Sequence, residues 1–441
     1  MAKLGDKPWG DLALPIRSLA VAAALCITMA GHVLAAEPRA VTGHVADQIA
    51  AHYFDPAKGA AIAAELKAEA AKGAYDRYVQ PLDLAQALTA RLRPLDAHFN
   101  VAWSPNAPPA AGGPPRAGPA QREDSDRRMN YGFHKVQVLP GNIGLIDMRY
   151  FAGFEPKDVG GARGAADAAL ALVAGTDAVI FDLRDNGGGS PALVGYLVGH
   201  FTPGGADIYN TFRGRGADTS ERPTVAIAPA ARRLTVPLYV LTSARTGSAA
   251  ESFPYTLQAA RRATIVGEAS GGAANPGGPA QAGDGFSVFI SRDRPVNPIT
   301  KTNWEGTGVI PDVAVPAGDA LARAQALALA GLIKAGLPEP AATEDRWALE
   351  ALAAPPPVSA EVMAGYAGAY GARTVAVEDG KLVIRNGRRP PAVLRPVSTD
   401  AFTVEGAPFP YRIKFDRDAQ GRVAAMLQMA GDGQTARYAR D

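Results

Sequence analysis

LTVPLYVLTSARTGSAAESFPY, residues 234–255, decides the fold. Its first half, LTVPLYVLT (234–242), is a short apolar run bounded by small polar residues, which reads as a buried strand. Its second half gives way to Gly247 and then to helical spacing from Ser248 onward. Ser248 therefore sits on a strand-to-helix turn. Such a turn has two uses. A serine there caps the helix N-terminus, or it lifts a hydroxyl above the sheet, beside free backbone N–H groups, as a nucleophile.

Outward from this stretch, strands alternate with helices. NIGLIDMRYF (142–151), DAVIFDLRDN (177–186), ATIVGE (263–268) and GFSVFISR (285–292) read as strands. KDVGGARGAADAALALVAG (157–175), PALVGYLVGHF (191–201) and AAESFPYTLQAARR (249–262) carry helical spacing. The alternation predicts an α/β layered domain over 129–335, its parallel strands joined by crossover helices. It ends near Val315, before the helical DALARAQALALAGLIKAG (319–336).

The flanks differ. Residues 37–103 show apolar positions three and four apart and predict a helical N-terminal domain. Residues 104–128 are rich in Pro, Gly and Ala, then charged, and read as a linker. Residues 336–359, broken by Pro338, Pro340 and Pro355–Pro357, read as a second linker. Beyond them, RTVAVEDGKLVIRNGRR and FTVEGAPFPYRIKFDRDAQGRVAAMLQ alternate in period two around Asp-Gly and Asn-Gly turns, predicting a small antiparallel, barrel-like β domain over 360–441. At the N-terminus, Lys3, Lys7 and Arg17 precede LAVAAALCITMA (19–30) and the small residues Ala35–Ala36. Residues 1–36 thus read as a signal peptide, which places the mature chain in the periplasm or outside the cell with no stable membrane insertion.

A net charge of +2 over 441 residues gives no electrostatic case for a nucleic-acid partner. Cys26 is the single cysteine and lies in the signal segment, so thiolate catalysis, disulfides and Cys-ligated zinc are excluded for the mature chain.

A serine nucleophile needs a base to take its proton. Of the histidines after the signal segment, His44 and His52 fall on a helical pattern. His134 falls in a strand with an exposed side chain, and His200 ends a helix where a cation suits the dipole. His98, in LRPLDAHFNVAW (92–103), lies where the helical pattern stops and an extended segment starts; it is either a surface histidine or one that projects into a cleft. The loop DLRDNGGGS (182–190) makes a tight turn or, through its glycine N–H groups with that of Ala249, an oxyanion hole. In NWEGTGVIPDVAV (303–315), Glu305 is either a solvated loop carboxylate or the acid that orients a histidine, and Asp312 after Pro311 suits a turn contact.

As an ordered set, DLRDNGGG, TSARTGSAAES, GEASGG and WEGTGVIPDV resemble the tail-specific, or C-terminal processing, family of serine peptidases, nearest its tricorn-like and interphotoreceptor-retinoid-binding-protein-like branch. The resemblance covers about 40–316. It implies a crotonase-like α/β core behind the helical domain and a peptide or protein substrate, with no metal or organic cofactor. Ser248 matches the nucleophile. The stretch GEASGGAANPGG (267–278) lacks the lysine of the Ser–Lys branch. The resemblance therefore points to His98 as base, Glu305 as its supporting acid, and Gly187, Gly188 and Ala249 as the oxyanion region. No PDZ-like segment is recognisable. Two other readings fit the same scaffold: a non-catalytic binder of apolar ligands, and an esterase or amidase for small substrates. Oligomeric state has no signature in the sequence.

Overall fold

The computed structural model describes residues 37–105, 119–157, 159–353, 357–407 and 411–441. The signal-peptide reading of 1–36 lies outside the described residues. Three helices open the chain: α1 (Pro38–His52), α2 (Pro56–Ala71) and α3 (Pro81–Leu92). Each begins with proline, which suits a position whose N–H has no intrahelical partner. Then follow β1 (Asn100–Trp103), α4 (Pro119–Arg128), β2 (Phe133–Leu139), β3 (Ile143–Met148), α5 (Ala162–Leu172), β4 (Ala178–Asp182), α6 (Pro191–Gly199), β5 (Thr211–Gly214) and β6 (Thr219–Ser220). Next come β7 (Leu238–Thr242), α7 (Ala249–Ala259), β8 (Thr264–Gly267), β9 (Gly277–Gly283), β10 (Phe286–Ser291), β11 (Asp293–Val296) and β12 (Val313–Ala314). The chain closes with α8 (Ala320–Ala335), α9 (Ala341–Ala351), α10 (Ala360–Tyr366) and eight strands β13–β20, which run from Gly368–Tyr370 to Thr435–Ala439.

The central sheet has the order β12-β8-β7-β4-β3-β2. Its neighbours pair in parallel except β2, which runs antiparallel to β3. Every residue of β3 and β4 is buried, as expected when helices cover both faces of a parallel sheet. Alternate residues serve the two faces. Ile146, Val179 and Phe181 share a core with Ala166 of α5, Leu197 of α6 and Phe253 of α7. Ile143, Leu145, Ile180, Leu241 and Val266 pack with Ala324, Ala328 and Leu329 of α8.

A second layer was only half legible. GFSVFISR is a strand, β10, but it pairs with β1 and β9 in a separate three-stranded sheet. Val101, Phe286, Val288 and Ile290 of that sheet share one core with Val45, Ile49, Leu66 and Leu88 of α1–α3. The hairpin 277–291, expected inside the α/β core, thus belongs to the helical layer. This long-range pairing carries Phe289 up to His98, their rings 6.1 Å apart.

Two linker readings need correction. Ala341–Ala351 inside 336–359 is a helix, because Pro338 and Pro340 precede it and stand where helices start. Pro119–Arg128 inside 104–128 is also helical; residues 106–118 lie outside the described residues. His200 caps α6 as expected, but it is buried, and burial pushes its imidazole below the ordinary value, so it is no surface cation. The C-terminal strands form one antiparallel sheet in sequential order around Tyr366, Tyr370, Phe402 and Phe415. The Asp441 N–H donates to the Ala369 carbonyl, returning the end of the chain to the first strand, so the sheet is barrel-like. No helix among the described residues is long and apolar enough to cross a membrane.

Candidate active site

The turn after β7 is bolted to the loop after β4. Thr246 Oγ1 donates to the Leu183 carbonyl at 2.8 Å, and Ser243 Oγ donates to that of Arg184 at 2.5 Å. These two small buried hydroxyls explain why the sequence turns polar where the strand ends. Ser248 follows with φ 54° and ψ −126°. An ordinary N-cap residue is extended, as Asp55 (φ −99°) and Ser359 (φ −66°) are, and those two side chains accept hydrogen bonds from the first turn of their helices. A positive φ costs a residue with a Cβ about 1–3 kcal/mol and persists where the surroundings impose it. Ser248 still stands in a capping box with Glu251 at the start of α7, but in a backbone conformation that an ordinary cap does not adopt.

Glu251, one turn into α7, is fully buried and supplies the imposition. It accepts the Ser248 N–H at 2.7 Å, the Ser270 hydroxyl at 2.6 Å, and the Gly272 and Ala273 N–H groups at 2.6 and 2.9 Å. Replacing Glu251 with alanine leaves four donors without an acceptor, two of them buried and two half-buried. The expected result is a loss of about 3–5 kcal/mol of stability, read as a lowered midpoint in thermal unfolding.

The glycine loop lies against Ser248. A Cβ on Gly188 (φ 114°) would stand 2.7 Å from Ser248 Cβ, so only glycine allows this approach. The Gly188 N–H is already used: it donates to Asn186 Oδ1 at 2.9 Å. Among the described residues, the N–H groups of Gly187 and Ala249 have no acceptor. Of the three expected oxyanion residues, Gly188 thus supplies close packing rather than a free donor. Asn186, fully buried, holds the loop: Nδ2 donates to the Met148 carbonyl at 3.1 Å, and its own carbonyl accepts the Gly247 N–H at 3.0 Å.

His98 and Glu305 meet. Nδ1 of His98 lies 3.3 Å from Glu305 Oε1 and 3.3 Å from Asp96 Oδ1. Burial alone lowers the imidazole pKa, but the Asp96 and Glu305 carboxylates, which face Nδ1 as acceptors, outweigh it and raise His98 to about 9. Glu305 is anchored through its other oxygen, which accepts the N–H groups of Ala274 and Asn275 at 2.8 and 3.0 Å. The loop carrying Glu305 interlocks with the one after β8 through Gly306 N–H to the Gly272 carbonyl and Val309 N–H to Ser270 Oγ. Consecutive N–H groups, of Ala273 and Ala274, therefore serve Glu251 and Glu305, which joins the Ser248 turn to the His98 cluster in one hydrogen-bonded network. No hydrogen bond connects the His98 ring to the Ser248 hydroxyl directly among the described residues.

Asp96, His98 and Glu305 also bring ligand-type atoms within 4.8 Å of one another. Among the other histidines, His134 pairs with Asp147 at 3.0 Å on an exposed strand. Asp312 accepts from the Ile265 N–H and from Gln258, a contact that fixes β8 and α7.

Residues 142–315 match Peptidase family S41. Over this span the chain is similar to the S41 peptidases. The matched span holds the glycine loop, Ser248 and Glu305 but not His98, and the similarity supports a serine-type peptidase. Solved structures similar to the chain include a lipoprotein from Streptococcus agalactiae (13% identity, 67% of this chain and 96% of that one, TM-score 0.44). They also include the photosystem II D1 C-terminal processing protease (16% identity, 64% and 94%, TM-score 0.39) and the tricorn protease (18% identity, 46% and 17%, TM-score 0.26).

Three residues of the candidate site escaped the sequence reading: Glu251, Asn186 as a clamp, and Asp96. Glu251 had a local signal, an acid at the third helical position after a serine. Asp96, two residues before His98, had none that separates it from a turn aspartate.

Proposed function

We propose that the chain is an exported serine peptidase that cleaves peptide bonds on a crotonase-like layered core. Ser248 is the nucleophile, His98 the general base and Glu305 its supporting acid. The observation that carries this reading is the positive φ of Ser248 at the start of α7, beside the unpaired N–H of Ala249. In the reaction, His98 Nε2 takes the Ser248 proton as Oγ attacks the carbonyl carbon. The Gly187 and Ala249 N–H groups receive the oxyanion, His98 then protonates the leaving amine, and water releases the acyl group. Catalytic hydrogen bonds are commonly long before substrate binds, which accommodates the missing Ser248–His98 bond. Export rests on the charge, apolar run and small residues of 1–36 and leads to the periplasm or the exterior. A fluorophosphonate probe tests the assignment. It should label the wild-type protein and not Ser248→Ala, and equal labelling of both would contradict it.

The pH dependence has a definite sign. With His98 raised to about 9, only ~1% of the free enzyme holds a neutral base at pH 7. kcat/KM should therefore climb about tenfold per pH unit towards a plateau above about 9. Stability moves the other way. A histidine raised from its ordinary 6.5 contributes fully below that value and loses its contribution, roughly 3 kcal/mol, as pH rises through about 9. A pH series of turnover and unfolding midpoints checks both.

Glu305→Gln should lower kcat by about 10–100-fold, less than loss of the base itself, because Asp96 still faces Nδ1. Steady-state kinetics at pH 9 reads this directly.

A further inference from the structure

Asp96 is buried, its side chain 2% exposed, and among the described residues no arginine or lysine pairs with it. One of its oxygens, Oδ1, accepts the backbone N–H of His98 at 2.9 Å and also faces His98 Nδ1 at 3.3 Å. The first contact fixes the backbone of His98 and the second fixes its ring, so a single atom ties the residue's main chain to its imidazole. Glu305 reaches the same nitrogen from a loop far along the chain. We propose that Asp96 is a positioning residue for the general base: it clamps the His98 ring with Nδ1 protonated, so that Nε2 is the nitrogen left to take the Ser248 proton. This rests on the reading of His98 as that base.

The surroundings leave this work to the two carboxylates. Phe289 of β10 covers the ring, and Ser291 of β10 and Tyr53 after α1 stand beside Asp96. Burial, with Asp96 and Glu305 adding to it, pushes the Tyr53 phenol upward, which keeps it neutral. The nearby cations are engaged elsewhere: Lys58 Nζ donates to the Leu95 carbonyl, and Arg215 to those of Ala50 and Tyr53. Two acids on one nitrogen also mean that when His98 gains the serine proton, the imidazolium forms against a charge already in place rather than one recruited from solvent.

The test is Asp96→Asn alongside Asp96→Ser. The serine hydroxyl still offers an oxygen to the His98 backbone N–H while removing the charge. Three quantities are read on each variant: the His98 imidazole titration by NMR, assigned with His98→Gln; the pH profile of kcat/KM; and the unfolding midpoint. In every variant that folds, the His98 titration should fall by about one unit or more, the rising limb of kcat/KM should move down with it, and kcat at the plateau should drop about 10–100-fold with KM little changed. An unchanged His98 titration, or a lower kcat with an unmoved pH limb, would overturn the proposal and leave Asp96 a purely structural turn residue. The NMR titration does not depend on turnover, so it still decides the role of Asp96 if the peptidase assignment itself fails.

Discussion

Ser248→Ala should remove peptide hydrolysis almost entirely, lowering kcat by a factor on the order of 10⁵–10⁶, with the unfolding midpoint close to that of the wild type. The reasoning is local. On the proposed mechanism the Ser248 side chain contributes the attacking oxygen; apart from its share of the capping box with Glu251, the bonds that hold the turn come from its backbone N–H and from Thr246, Ser243 and Glu251. Alanine keeps all of those. It also retains the positive φ at a similar cost, since both residues carry a Cβ. Activity should therefore vanish while the fold survives. Single-turnover kinetics with a fluorogenic peptide separates this result from slow product release. A residual rate well above that of water is expected, because the Gly187 and Ala249 N–H groups remain.

His98→Ala should cost nearly as much, and the double variant with Ser248→Ala should cost no more than either alone. On the proposed mechanism nucleophile and base act on one proton, so removing both loses the same transfer once. Strict additivity of the two losses, measured as kcat at pH 9, would mean that His98 serves some other purpose. The elevated imidazole makes the choice of pH part of the measurement. At pH 7 the wild type is itself mostly in the inactive protonated form, and the apparent cost of losing His98 would be understated.

The sequence made the turn at Ser248 legible because an apolar run, a glycine and a helical spacing are local signals. It also exposed the glycine loop, since only glycine allows the close packing of Gly188 on Ser248. Less visible were features set by distant pairings. The β9–β10 hairpin joins the helical layer through β1, a match between segments that share no local pattern. Glu251 looks like a helix-capping acid until the loop after β8 brings three further donors to it. Asp96 becomes significant only once Glu305 arrives at the other side of Nδ1. The helix α9 was hidden by prolines, which break a helix from within yet start one from its first turn.

The most direct test of the account is the crystal structure of the protein after reaction with a phosphonate inhibitor. The account predicts phosphorus bonded to Ser248 Oγ, a phosphonyl oxygen about 3 Å from the N–H groups of Gly187 and Ala249, and His98 Nε2 within hydrogen-bond reach of the serine oxygen. Phosphorus on another residue, or an adduct on Ser248 with His98 out of reach of it, would contradict it.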